Sequence, residues 1–311
     1  MTTSLNKILL VDTPGAGSHE ATARAQTLAG SGGGEVTVLA TVNGIPEAPN
    51  RGGVDLGKLI REEGHRRAEA IAAELKRSGV NASAKVRVGP SFIEIIKEAH
   101  ELQADVVIKV SESMASKGSN IGTTDLHLLR KCPCPVWITR RRERAPYERI
   151  FAAVDPGDEG WGRDTELDAK ILDYAARVAR TDNAELTIVH AWQMIGEGML
   201  RGRSRFSASE VQQMLDEERS TRESRIRDLA SAGTLDGVDN SIRLIKGRPS
   251  EVIPQVVEQE RADLLVMGTV VRTGIKGFFI GSTAEEVIQQ VGCAILALKP
   301  AGFESPVLPP A

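Results

Sequence analysis

The sequence predicts an α/β protein that contains two tandem copies of a doubly wound, five-stranded parallel-sheet domain. Its length of 311 residues suits two domains. Two blocks of the chain resemble each other at a separation of roughly 150 residues, which is far longer than the period of a solenoid. Each block alternates short β-branched runs with longer segments of helical periodicity, and this alternation is typical of parallel strands covered by helices on both faces.

The internal repeat can be followed residue by residue. Asp12 recurs as Asp155, 143 residues later, and Gly89 recurs as Gly247, 158 residues later. The larger second separation indicates an insertion in the second copy, which we expect between residues 192 and 222. The repeat predicts domains at 1–140 and 147–300, followed by a C-terminal tail at 301–311.

The elements of the second copy follow from their residue patterns. A run that includes Ile150 and Phe151 predicts a strand, and the spacing of Leu167, Ile171 and Leu172 predicts a helix. The other strands are apolar or β-branched runs, and the other helices carry apolar residues at helical spacing. The predicted strands are 149–154, 186–190, 241–245, 263–267 and 294–298. The predicted helices are 166–180, 208–232, 250–259 and 285–290. The first copy shows the same order, and right-handed crossovers then leave few topologies.

The composition excludes several classes of protein. The chain has 39 Lys and Arg against 42 Asp and Glu, a net charge of −3, which gives no overall attraction to nucleic acid or to an anionic membrane. Three cysteines cannot build a disulfide framework. The apolar run 8–11 is too short for a signal peptide or a membrane span. We therefore expect a cytoplasmic protein without nucleic-acid or membrane partners.

Three short segments of the second copy suit the binding of an anionic ligand. Asp155 comes at the carboxyl end of the first strand, at the edge where open α/β sheets bind ligands. Gly268 follows a strand and lets the backbone approach a ligand without a Cβ. Gly281, Ser282 and Thr283 open a helix, whose free N–H groups and positive end attract anions. Each feature also has a purely structural interpretation as a turn or a helix cap.

The segment 267–283 combines these residues in one order: Gly268, a long loop, and then Gly281 with Ser282. This pattern resembles the nucleotide loop of the universal stress protein family, and the duplicated chain resembles the tandem, E-type members. Val271 stands where the family pattern has its second glycine, and a β-branched side chain resists positive φ and narrows the loop. The loop is therefore expected to bind phosphates weakly.

The resemblance implies the fold of adenine nucleotide alpha-hydrolases and a stress-response protein that is not an enzyme. It further implies ATP or a related adenine nucleotide, with Mg²⁺, as the ligand of the second copy. The residues that it assigns to this site are Asp155, Val189, Met267, Gly268, Gly281, Ser282 and Thr283. No catalytic residues and no metal ligands of the protein itself are assigned.

The first copy departs further from the family pattern. It has Lys109, Val110 and Ser111 where the second copy has Met267 and Gly268, although Gly122 remains before its last helix. We therefore expect no nucleotide there, and we expect Lys109 to extend its ammonium group to solvent.

Other candidate chemistry is weak. Cys132, Cys134 and His127 lack the paired C-x-x-C spacing of a zinc site, so buried thiols are expected. His190 is expected to be a packed histidine. Two alternatives to a non-enzymatic nucleotide-binding protein stay open: a slow ATP hydrolase or nucleotide transferase, and a partner-binding scaffold whose pockets hold another ligand or none.

The assembly of the two copies can also be predicted. In the family that the sequence resembles, the last strands of two domains pair across a two-fold axis. Strands 135–139 and 294–298 hold those positions here, so we expect an internal pseudo-dimer in which each covers the other's open edge. Further homodimerisation stays open. The charged segment 140–146 is expected to be a solvated hinge.

Overall fold

A computed structural model describes residues 5–15, 19–43, 55–112, 121–141, 143, 145–157, 165–194, 196–202, 206–231, 234–269 and 281–309. The first half contains β1 (Lys7–Asp12), α1 (His19–Gly32), β2 (Glu35–Val42), α2 (Leu56–Arg77), β3 (Asn81–Val88), α3 (Ser91–Leu102), β4 (Val106–Val110), α4 (Thr123–Lys131) and β5 (Val136–Thr139). The second half contains β6 (Arg149–Ala153), α5 (Thr165–Asp182), β7 (Glu185–Trp192), α6 (Glu197–Gly202), α7 (Ala208–Ala230), β8 (Asn240–Lys246), α8 (Pro249–Gln259), β9 (Leu264–Gly268), α9 (Ser282–Gln290) and β10 (Ala294–Leu298).

The predicted elements of the second half are all present, with differences confined to their ends. The short helix α6 was not predicted, because six residues carry too little periodicity to be distinguished from a loop. It lies between residues 192 and 222, where the mismatch in the repeat places the insertion.

The strands form one ten-stranded sheet in the order β3-β2-β1-β4-β5-β10-β9-β6-β7-β8. Within each half all neighbours run parallel. The halves meet through an antiparallel pair, in which Trp137 of β5 lies opposite Leu296 of β10. This pairing confirms the predicted internal pseudo-dimer. The chain order reverses on either side of β1 in the first half and of β6 in the second, so the β1–β4 and β6–β9 borders are the ligand-binding switch points of such sheets.

The apolar core continues across the junction on both faces of the sheet. Successive strand residues point to opposite faces, and Leu10 and Leu9 accordingly belong to two different buried clusters. Each cluster contains residues of both halves, including Trp137 with Ile150 on one face. The two copies therefore share a core instead of standing apart on a linker.

A buried ion pair joins the helices of the two halves. Arg24 of α1 donates from Nη1 to both carboxylate oxygens of Asp182, at 2.9 and 2.7 Å, and both side chains are buried. The guanidinium carbon of Arg24 lies 3.9 Å from the ring centroid of Tyr147. The backbone N–H of Tyr147 also donates to Asp182, at 2.9 Å. These contacts fix the start of the second half against the first.

The connecting segment is only in part the solvated hinge that its charges predicted: Arg141, Ala145 and Pro146 are exposed, whereas Arg140 and Glu143 are held against the protein. Arg140 donates to the carbonyl oxygens of Cys293 and Val291, at 2.8 and 3.0 Å, beyond the last turn of α9. The Glu143 carboxylate accepts the Tyr147 hydroxyl at 2.8 Å, and burial raises the pKa of Glu143 to about 7. The prediction was wrong for Arg140 and Glu143, because backbone carbonyls beyond α9 and the phenol of Tyr147 lie within reach of these two side chains.

Candidate functional site

The structure brings most of the predicted site residues to the carboxyl edge of the second half. Asp155 follows β6, Gly268 ends β9, and Gly281 immediately precedes α9. Ser282 and Thr283 form the first exposed residues of α9. These positions surround the β6–β9 switch point, as the sequence predicted.

Two of the predicted residues are core residues by their burial. Val189 is completely buried in β7 and Met267 is 5% exposed in β9, and both belong to one apolar cluster. Their side chains therefore support the floor of the site. Only a small part of Met267 is accessible from the edge of the sheet.

Asp155 presents a largely exposed carboxylate. Its side chain is 59% exposed, and its backbone N–H donates to Asp168 at 3.0 Å. The carboxylate lies 3.8 Å from Nδ1 of His190, but that nitrogen is 3.0 Å from the carbonyl oxygen of Val154. We assign Nδ1–H as the donor to this carbonyl, which leaves His190 a packed, buried side chain, as predicted.

The two glycines of the second half have different structural roles. A Cβ on Gly268 would come within 2.8 Å of Leu167 Cδ2, so the missing side chain leaves room for α5. Gly281 has a φ of −60°, and its N–H donates to the carbonyl oxygen of Thr269 at 3.0 Å. Neither glycine is held in a left-handed conformation. Val271 lies outside the described residues, as do its neighbours in 270–280.

The equivalent place in the first half contains a buried charge pair. Lys109 in β4 is 2% exposed, and its Nζ donates to Asp125 Oδ1 at 2.8 Å. Glu112 lies 3.1 Å from the same ammonium. The prediction that Lys109 reaches solvent was wrong, because a carboxylate that is adjacent only in the fold compensates the buried charge.

Asp125 also occupies the amino end of α4. Its Oδ2 accepts the backbone N–H groups of Glu112 and Gly122, at 3.0 and 3.2 Å, and the hydroxyl of Ser111 at 3.2 Å. A carboxylate of the protein therefore uses the donors that an external anion needs at a helix N-terminus. The second half has Met267 and Ala284 at the positions of Lys109 and Asp125, so this arrangement occurs in one half only.

Each half contains a cavity near its carboxyl edge. The first-half cavity measures about 660 Å³ and has Asp12, Thr13 and Arg67 among its lining residues. The second-half cavity measures about 320 Å³ and lies beside Trp192 and Lys246, the last residues of β7 and β8. The larger of these two cavities is thus in the half that was expected to bind no nucleotide.

The cysteines show no sign of metal binding. Cys132 and Cys134 place their sulfur atoms 3.4 Å apart, and the hydrogen bond with Cys132, together with burial, raises the pKa of the Cys134 thiol. Burial raises the pKa of Cys293 to about 12. Within the described residues, no three His, Cys, Asp or Glu side chains are grouped to hold a metal ion. Cys132 is buried, and Cys134 and Cys293 are half-buried next to strands, in agreement with an interpretation as buried or strand-edge thiols.

Comparison with known proteins identifies the family. The profile of the universal stress protein family matches residues 5–140 and again residues 146–299. This chain belongs to the universal stress protein family. The two matches correspond to the two halves of the ten-stranded sheet and confirm the tandem organisation.

Relatives of the chain in this family include proteins of the E type. Universal stress protein E of Photorhabdus laumondii is 30% identical over 216 residues, which are 68% of this chain and 67% of that protein. Universal stress protein E of Escherichia coli K12 is 29% identical and covers 70% of this chain and 67% of its own length.

Solved structures show the same fold. A protein of unknown function from Pseudomonas aeruginosa PAO1 superposes with a TM-score of 0.73 at 23% identity, over 97% of this chain and 95% of that one. A universal stress protein from Archaeoglobus fulgidus gives a TM-score of 0.63 at 19% identity, over 95% of this chain and 98% of that one. In the described part of this universal stress protein, no helix has the length and apolar character of a transmembrane segment.

Proposed function

We propose that this universal stress protein is a non-enzymatic, cytoplasmic nucleotide-binding protein, with ATP or a related adenine nucleotide bound at the carboxyl edge of the second half. One observation supports the choice of half. The amino end of α4 is occupied by the carboxylate of Asp125, whereas the amino end of α9 has Ala284 at that position. An anionic phosphate is repelled by the first arrangement and has no such competitor in the second.

The second half supplies complementary groups for the rest of the ligand. Ser282 and Thr283 add exposed hydroxyl donors at the first turn of α9, beside its positive end. Asp155, more than half exposed on the same edge, can accept from an amino or hydroxyl group of the nucleoside. In this proposal Mg²⁺ binds together with the nucleotide, and the two structural units of the protein are the domains 1–140 and 147–300.

The surroundings of Asp155 favour binding over catalysis. His190, the nearest imidazole, is buried and bonded to a carbonyl through Nδ1. Arg222 lies 3.5 Å from its other ring nitrogen. A histidine held in this way is poorly suited to exchange protons with a ligand at the sheet edge.

The test introduces the carboxylate found at the amino end of α4 at the equivalent position of α9. Ala284→Asp places a carboxylate at the third position of α9, and Ala284→Asn places a neutral side chain of the same shape there. Isothermal titration with Mg-ATP should show binding by the unmodified chain, and Ala284→Asp should weaken it by about tenfold to hundredfold, the value of one charged hydrogen bond. Ala284→Asn should stay within about threefold, since it adds no charge.

A second pair of variants tests the position of the site. Ser282→Ala should weaken ATP binding, whereas Thr123→Ala, the same position in α4, should leave the affinity unchanged. Equal losses from Ala284→Asp and Ala284→Asn, or from Ser282→Ala and Thr123→Ala, would contradict the proposed site. Mass spectrometry of small molecules released on denaturation identifies the nucleotide directly.

A further inference from the structure

The cavity of the first half is a built cleft that the proposed function does not use. It lies between α2 and the carboxyl ends of β1, β2 and β4, and its volume is about 660 Å³. Leu59 and Ile60 of α2 line its mouth and are 49% and 38% exposed. Val11 and Val42 add apolar surface deeper inside. Such a combination of volume and apolar lining is typical of small-molecule sites.

The charged residues of the cleft are unsuited to an anionic ligand. Arg67 donates from Nε to Asp12 Oδ2 at 2.9 Å and lies 3.7 Å from Glu63. Lys109 is paired with a buried aspartate and with Glu112. Among the described lining residues, three carboxylates therefore face two cations, and both cations already have anionic partners. A phosphate would meet excess negative charge.

The cleft also contains acceptors that lack a partner. Asp12 uses one carboxylate oxygen for Arg67, and no hydrogen bond to its Oδ1 is formed within the described residues. The next residue, Thr13, is only 7% exposed, and its hydroxyl has no partner among the residues that the structure describes. A buried polar group without a partner is costly, so this pair favours a ligand that brings hydrogen-bond donors.

We propose that this cleft binds a small organic cation, an amine or amidine with an apolar body. The cationic head donates to Asp12 Oδ1 and to the Thr13 hydroxyl, and the body lies against Leu59 and Ile60. The charge of the head compensates the excess carboxylate, and the body covers the exposed apolar residues of α2. The site is independent of the nucleotide site proposed for the second half.

Three probes of equal size separate charge from shape. 4-Aminobenzamidine is a cation, 4-aminobenzamide is neutral and 4-aminobenzoate is an anion, and binding of each to the full chain can be followed by fluorescence and calorimetry. The amidine should saturate the protein at millimolar concentration or below, and the benzoate should bind at least about tenfold more weakly. ATP at saturating concentration should not displace the amidine.

The variants have matched controls in the same chain. Asp12→Asn should weaken amidine binding by about tenfold or more, whereas Asp155→Asn, the same change in the second half, should not. Leu59→Ser, at a position that is 49% exposed, should weaken binding about threefold to fivefold, and its unfolding curve controls for any loss of stability. Glu62→Gln, on the outer face of α2, should change nothing.

Three results would overturn the inference. They are absence of saturation up to about 10 mM amidine, equal affinity for amidine and benzoate, and an effect of Asp155→Asn as large as that of Asp12→Asn. Failure of the nucleotide proposal leaves these readouts unchanged, because ATP and the amidine are measured in different halves.

Discussion

The buried ion pair of Lys109 and Asp125 can be replaced by Met and Ala, the residues at the equivalent positions of the second half. These changes test how much the pair contributes to the stability of the first half. Asp125→Ala leaves an ammonium that is 2% exposed and whose remaining partners, among the residues that the structure describes, are Val110 O and the partly exposed Glu112. Removing one member of a buried pair in this way should cost about 3–5 kcal/mol of unfolding free energy.

Lys109→Met should be less damaging. The carboxylate of Asp125 keeps two backbone N–H donors and the Ser111 hydroxyl, so the loss is mainly one charged hydrogen bond, about 1.5–3 kcal/mol. In the double variant no fully buried charge remains unpaired, although the N–H groups of Glu112 and Gly122 and the hydroxyl of Ser111 lose this acceptor. We expect the double variant to lose only about 2–4 kcal/mol, so that the two changes are coupled by roughly 2 kcal/mol or more.

Urea unfolding of all four proteins, followed by circular dichroism and tryptophan fluorescence, measures this cycle. The exposed pair of Lys58 and Glu62, with side chains 69% and 59% accessible, provides the control cycle and should give a coupling below about 1 kcal/mol. Additive losses at Lys109 and Asp125 would refute the reasoning, because they would show that the two charges stabilise the fold independently.

Three further predictions concern the junction and the start of α4. Burial lowers the pKa of Lys299 from 10.5 to about 7, so between these two pH values the unfolded chain binds one proton more than the folded chain, and stability rises by about 1.4 kcal/mol per pH unit. Lys299→Met should remove this slope in unfolding curves measured at several pH values. Arg24→Met should cost about 3–5 kcal/mol in urea unfolding, because Asp182 stays buried without its cation, and a loss below about 1 kcal/mol would contradict this. Gly122→Ala should cost about 1–3 kcal/mol in the same assay, because the new Cβ would lie 2.7 Å from Cβ of Glu112, and an unchanged midpoint would show that the loop adapts freely.

The order of strands and helices could be predicted from the sequence because it depends on local periodicity. The buried residues of β10, Ala294–Leu298, are consecutive in the chain and signal their element without reference to any partner. The duplication likewise identified β5 and β10 as equivalent strands, and the resemblance to the universal stress protein family implied that they pair. The short α6 carried no such signal.

The candidate site was predicted in part. Asp155, Gly268 and Gly281 were recognised from their order along the chain, and they do meet at one edge of the sheet. The open cleft of the first half was missed, because Thr13 and Leu59 are ordinary residues until β1 and α2 face each other. No spacing rule in the sequence connects them.

The sequence by itself determined the duplicated α/β fold and the edge of each half where ligands are expected, since these follow from periodicity and repetition. The internal pseudo-dimer was implied by the resemblance of the chain to the universal stress protein family. Only the tertiary structure decided which charges are paired. Lys109 and Asp125 are 16 residues apart, and Arg24 and Asp182 are 158 apart. The physical reason is that an ion pair depends on distance and burial, and both are set by the packing of whole elements against one another. That packing assigns Asp125 to the amino end of α4, whereas α9 has Ala284 at the corresponding position.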